Sequence, residues 1–197
     1  ITSPGNSRKV ITVGSITDRG TGNDLTDDFV STYSSRGPTL FDHVLKPDLV
    51  APGNRVVAAI SKYAKLRTDL PERVVPCAAP ACTGDYLELS GTSMAAPMVA
   101  AAAAAMLEKE PTLTPATIKA RLMRSARKID ADLTAVGAGV LDVNAALNEA
   151  GYVTGEALSP LMGRSDEGTI LHVEDTSSLW GDETWGAGYL WTDGYLW

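Results

Sequence analysis

The sequence predicts an α/β domain followed by an acidic, tryptophan-rich tail. Three observations carry this reading: short β-branched runs closed by glycine or proline, an alanine-rich helical stretch after Ser93, and an abrupt change of composition near Gly151. Strands that alternate with helices indicate α/β layering. The 197 residues suffice for one domain with an appendage, and 44% hydrophobic against 21% charged residues are ordinary globular proportions. We read residues 1–150 as the domain and 151–197 as the tail.

Val10-Ile11-Thr12-Val13-Gly14 reads as a buried strand, because β-branched residues suit a pleated surface and Gly ends the run. The polar stretch from Thr17 to Asp28 is a loop, and Tyr33-Ser34-Ser35-Arg36-Gly37-Pro38 is turn chemistry. Lys46-Pro47-Asp48-Leu49-Val50-Ala51-Pro52-Gly53 boxes a short apolar segment between two prolines, which suits a strand terminus better than a helix. Val56-Val57-Ala58-Ala59-Ile60 is expected as a second buried strand, and Tyr86-Leu87-Glu88-Leu89 as an alternating one.

A long helix begins near Ser93 and stops near Glu110-Pro111, since alanine is the best helix former and Pro97 is tolerated in a first turn. Its sides are small and apolar, so it is expected to be buried on every face. Thr114-Pro115 start a second helix as N-cap and first helical residue. Ile118, Leu122 and Met123 form its apolar stripe, while Arg121, Arg124, Arg127 and Lys128 cover its outer side and end. Asp142 to Ala150 form a third, short helix.

Charge divides at the same border. Residues 1–150 hold 16 basic and 16 acidic side chains, whereas residues 151–197 hold one Arg against eight acids, so the tail carries the whole net charge of −7. With no basic stripe for phosphate backbones, nucleic-acid binding is not expected. No apolar run reaches the ~18 residues that a spanning helix needs, so no membrane span is expected either. Cys77 and Cys82 have four residues between them and no His nearby, which leaves too few donors for a four-ligand zinc site. A local disulfide is their leading use and idle thiols the alternative; oxidation would imply an oxidising compartment.

A serine hydroxyl attacks a carbonyl only if a base removes its proton and donors receive the oxyanion. Ser93 meets half of this requirement locally, because the first turn of a helix presents unpaired N–H groups and a positive dipole end. Gly91 lets substrate backbone approach closely, and Thr92 adds a hydroxyl beside the same place. The plain alternative is that Ser93 merely caps the helix.

Gly91-Thr92-Ser93-Met94-Ala95-Ala96-Pro97 resembles the nucleophile motif of the subtilisin-like serine proteases, the subtilases, over seven residues. Four more segments are similar to family segments in the family's order: Val10 to Gly14, Ser34 to Pro38, Lys46 to Gly53 and Gly137 to Ala146. The resemblance spans residues 1 to about 150. It implies a three-layer α/β sandwich around a parallel sheet, endopeptidase action on protein or peptide substrates, calcium in the complete enzyme and secretion. It makes Ser93 the nucleophile, with its own N–H as one oxyanion donor beside Gly91 and Thr92. Thr2 and Ser3 resemble part of the pocket for the residue before the scissile bond. No metal ligand is assigned in this chain.

The family's Asp, His and oxyanion Asn all precede the serine in sequence. No His-Gly-Thr-His-like or Ala-Gly-Asn-like segment stands ahead of Ser93, so the chain reads as the C-terminal portion of a catalytic domain. Its N-terminal portion is the expected partner, supplying the missing groups and covering an otherwise unpaired sheet edge. Alone, the chain is expected to be inactive. A second reading, from another class, is a non-catalytic fragment or binding module with a docking tail.

The remaining candidates are weaker. His43 reads as an exposed loop imidazole. Ser93, Asp142 and His172 follow the Ser, acid, His order of α/β-hydrolases, but Ala95 stands where their motif needs a second Gly. Asp48 resembles a position near a weak cation site in some family members, and Asp27-Asp28 read as a solvated pair. In the tail, Gly188-Tyr189-Leu190-Trp191 recurs as Gly194-Tyr195-Leu196-Trp197. The repeat suits a short β segment with an aromatic docking face, while its acids and glycines equally suit disorder.

Overall fold

The computed structural model describes residues 1–21, 26–77, 85–164 and 171–174. Strand β1 (Val13–Thr17) begins three residues after the apolar run does. The Val10 carbonyl is instead taken by the side-chain ammonium groups of Lys46 and Lys119, at 3.0 and 3.1 Å, and so is unavailable to a ladder. β1 pairs antiparallel with β2 (Phe29–Val30) and parallel with β3 (Leu49–Pro52), with Val13 opposite Leu49 and Ile16 opposite Pro52. Val50 also bridges Val140 in parallel.

A second sheet follows, formed by β4 (Val56–Ile60), β5 (Val74–Val75) and β6 (Asp85–Leu89), with β6 central and antiparallel to both neighbours. Helix α1 (Lys65–Asp69) and a 3-10 turn over Pro71–Arg73 link β4 to β5. Among the described residues, parallel pairing is therefore confined to β1 with β3 and to the Val50–Val140 contact. β4 is a strand as expected, yet Val57, Ala58 and Ala59 are exposed rather than buried, because no described helix packs over them.

The chain then turns helical with α2 (Thr92–Lys109), α3 (Pro115–Arg124), α4 (Leu133–Val136) and α5 (Val143–Asn148). Local caps set these starts. The Thr114 side chain accepts from the Thr117 amide at 3.1 Å, and Asp142 accepts from the Ala145 amide at 2.8 Å. A hairpin of β7 (Leu161–Arg164) and β8 (Leu171–Glu174) closes the described chain.

Successive residues of β3 point to opposite faces, as strand geometry requires. Leu49 and Ala51 pack with Ala95, Val99 and Met106 of α2, Leu122 of α3 and Ala146 of α5. Val50 faces the other way, with Ile16, Val140 and Ala135 and Val136 of α4. Helices thus cover both faces of the β1–β3 sheet, in an α/β/α layering. Each fully buried Leu, Ile or Met contributes roughly 1.5–3 kcal/mol to this core.

Two expectations about helix burial are corrected. α2 buries only Ala95, Val99, Ala102 and Met106, a single stripe, while Ala96, Met98, Ala100 and Leu107 remain exposed. The described chain supplies packing partners to one side of this helix alone. Arg121 of α3 is buried rather than on the outside, because its guanidinium is held by Glu110 and by the Gly151 carbonyl, each at 2.8 Å, and lies 4.7 Å from the Tyr152 ring.

Val153, Ala157 and Met162 join Leu45, Ala120 and Met123 in one buried cluster, so packing continues past Gly151. Cys77 is disulfide-bonded, whereas Cys82 and the four tryptophans of the tail lie outside the described residues. No described helix is long and apolar enough to cross a membrane.

Candidate active site

Ser93 owes its place to the loop between β3 and β4, which grips the start of α2. The Gly91 amide donates to the Gly53 carbonyl at 2.8 Å, and the Arg55 amide donates to the Ser90 hydroxyl at 2.8 Å. Residues 53 and 55 therefore hold residues 90 and 91 from one side. A Cβ on Gly53 would lie 2.7 Å from the Gly91 carbonyl oxygen and 2.5 Å from the Ser15 hydroxyl, so only glycine fits there.

The first intrahelical acceptor is the Gly91 carbonyl, which takes the Met94 amide at 2.9 Å. The amides of Thr92 and Ser93 precede that bond and have no acceptor within the helix, as helix geometry dictates. Ser93 itself is exposed, with its hydroxyl hydrogen-bonded to no described residue. The arrangement offers donors and positive potential to a developing oxyanion. It offers no base.

Thr2 and Thr92 share a cavity of about 190 Å³, whose walls also include Gly5, Thr12, Ser35 and Pro47. Ser3 is exposed and is not part of that wall. The structure thus brings Thr2 to the turn that opens α2 and leaves Ser3 apart. The turn carrying them is fixed by the Thr12 hydroxyl, which donates to the Gly5 carbonyl at 2.6 Å.

His43 is no partner for Ser93 among the described contacts, and the His172 side chain lies outside the described residues. His43 is exposed, and its carbonyl accepts the Met162 amide at 2.8 Å. His172 lies on β8 opposite Gly163, in the hairpin that bridges Leu161 to Val44. Asp142 is committed as the cap of α5.

Asp48 occupies an interior that the sequence did not reveal. Its carboxylate has no exposure and accepts from Lys46 at 2.7 Å, from the Thr12 amide at 2.7 Å and from the Ser159 hydroxyl, with Lys119 at 3.2 Å. Two ammonium groups therefore stand where a bound cation would have to sit, and calcium does not fit at Asp48. Burial lowers the pKa of Lys46 and pushes Lys119 down to about 8, while Asp48 opposes both shifts.

Asp28 likewise differs from the solvated pair expected. Its side chain is 2% exposed, one oxygen pairs with Arg127 at 2.6 Å, and the other, Oδ1, is buried without a partner. Arg127 is separated from Asp28 by 99 positions, too far for any local pattern to announce the pair.

A model of the subtilase family matches residues 1–152. Serine protease AprX of Bacillus subtilis (strain 168) is 38% identical over 144 residues, covering 72% of this chain and 30% of that protein. Subtilisin-like protease SBT1.9 of Arabidopsis thaliana is 42% identical over 120 residues, covering 60% of this chain and 15% of that protein. Among solved structures, fervidolysin from Fervidobacterium pennivorans, a keratinolytic enzyme related to subtilisin, superposes with a TM-score of 0.61 at 23% identity, over 86% of this chain and 23% of its own. The CspB protease of Clostridium perfringens gives 0.54 at 24% identity, over 74% and 28%. At those identities the structures speak to the fold. The chain spans less than a third of the length of each of these proteins.

Proposed function

Because this chain belongs to the subtilase family, we propose that it is the C-terminal portion of the catalytic domain of a secreted serine endopeptidase, with Ser93 as nucleophile. One observation carries the assignment: Ser93 is exposed in the first turn of an 18-residue helix, within the Gly91 to Pro97 motif, with amides beside it that lack intrahelical acceptors.

The Ser93 hydroxyl oxygen attacks the carbonyl carbon of a peptide bond, and its proton passes to a histidine from a preceding segment. The carbonyl oxygen becomes an oxyanion that receives the Ser93 N–H and an asparagine amide from the same preceding segment. Collapse expels the amine, which takes the proton back. Water then hydrolyses the acyl-enzyme by the reverse route. Thr2 and Thr92 line the cavity for the side chain before the scissile bond, and Gly91 leaves room for the substrate backbone.

The disulfide at Cys77 supports secretion, since such bonds persist in oxidising compartments. No calcium is assigned to Asp48, which two lysines enclose. The test is a fluorophosphonate applied to the full-length enzyme, followed by peptide mapping. The adduct is expected on Ser93 and absent from Ser93→Ala; an adduct on another residue, or none, counts against the assignment.

A further inference from the structure

We infer that Tyr33 is a positioning residue for the nucleophile turn, acting through the carbonyl of Gly53. This rests on the assignment of Ser93 as nucleophile and goes beyond it. The Tyr33 hydroxyl donates to the Gly53 carbonyl at 3.0 Å, and the same oxygen accepts the Gly91 amide at 2.8 Å. One acceptor therefore joins Tyr33 to the residue two places before Ser93.

Tyr33 is itself held from behind. Its oxygen lies 3.2 Å from the Ser15 hydroxyl, Ser15 lies 2.9 Å from Ser31, and Ser31 lies 3.0 Å from Thr17. Ser15 and Ser31 are buried, at 0% and 2% exposure. A single direction of donation, from Thr17 through Ser31, Ser15 and Tyr33 to Gly53, gives each hydroxyl after the first one donor and one acceptor. Such chains are mutually reinforcing, and they hold their end member in place. Here the end member is the Gly53 carbonyl.

Gly53 is confined on its other side by sterics, since a Cβ would press on the Gly91 oxygen at 2.7 Å and on Ala95 at 3.1 Å. Tyr33 is 44% exposed as a residue and belongs to no buried core cluster, so replacing it by Phe removes the hydroxyl with little loss of core packing. Removal leaves the Gly53 carbonyl one donor short and frees Gly91, and with it the first turn of α2, to shift. Attack geometry is sensitive to displacements of that order.

The test compares wild type and Tyr33→Phe in the full-length enzyme. The readouts are kcat and KM for a peptide ester, the rate of fluorophosphonate labelling and the thermal midpoint. We expect kcat and labelling rate to fall together by about threefold to tenfold, the span of one neutral hydrogen bond. KM should stay within about twofold, and the midpoint within about 2 °C. Unchanged kcat and labelling overturn the inference, as does a loss confined to KM or one that tracks a lowered midpoint. Failure of wild type to label at Ser93 removes the nucleophile assignment and this role together, whereas Ser93-dependent labelling at equal rates in both proteins removes the role of Tyr33 alone.

Discussion

Lys119 of α3 stands 3.2 Å from Asp48, which heads β3, and the two side chains are 2% and 0% exposed. Lys46 lies on the other side of the same carboxylate at 2.7 Å. A buried carboxylate is tolerated here because every direction around it ends in a donor. Its removal leaves two ammonium groups without a counter-charge, which is the costly way to break a buried pair. Asp48→Asn is therefore expected to lower the unfolding free energy by about 3–5 kcal/mol, and Ser159→Ala by about 1–2 kcal/mol. Denaturant unfolding of the two variants checks this, and equal losses would contradict it.

The same cluster sets a pH dependence. Burial brings Lys119 down to about 8 from an ordinary 10.5, against the pull of Asp48. Between those values the unfolded chain holds a proton that the folded chain has released, so stability from this group rises with pH across the window. Relative to Lys119→Met, wild type should gain about 1–3 kcal/mol between roughly pH 7.5 and 10. A difference that stays flat, or moves in favour of the variant, would show that Lys119 titrates normally.

Arg127 is the partner of Asp28, whose second oxygen is buried without one. Arg127→Met should cost about 3–5 kcal/mol, because it strands a buried carboxylate without its counter-charge. Adding Asp28→Asn to that variant should recover a large part of the loss. A double variant no more stable than Arg127→Met would argue that the guanidinium acts through packing rather than through charge.

Gly53→Ala tests the grip on the turn ahead of Ser93 by sterics. The added methyl meets backbone at 2.7 Å, so the Gly91 turn must move. Acylation at Ser93 should slow by at least about tenfold, with a stability loss of about 1–3 kcal/mol. Labelling at the wild-type rate would mean that the turn can shift without consequence.

Much of this site is legible in the sequence because its signals are local. The motif from Gly91 to Pro97 is contiguous, and the starts of α3 and α5 are written in Thr114 and Asp142, which cap within three residues of themselves. What escapes reading is whatever depends on distant chain. Nothing local marks Lys119 as buried: Ser159, 40 positions later, and the Arg8 carbonyl, 111 positions earlier, close around it. Tyr33 sits in a plain turn segment, and only its bond to Gly53, 20 positions on, ties it to Ser93. β4 and α2 read as buried in the sequence because apolar composition shows what a surface can bury, not which part of the protein covers it.

On the proposed assignment, Ser93 gains attacking power from groups supplied by a preceding segment. The direct measurement is fluorophosphonate labelling of residues 1–197 alone, and again after the preceding segment of the catalytic domain has been added back in trans or by fusion. Negligible labelling alone and rapid, Ser93-dependent labelling after addition are the predicted results. Rapid labelling of Ser93 in the isolated chain would show that the hydroxyl needs no such groups.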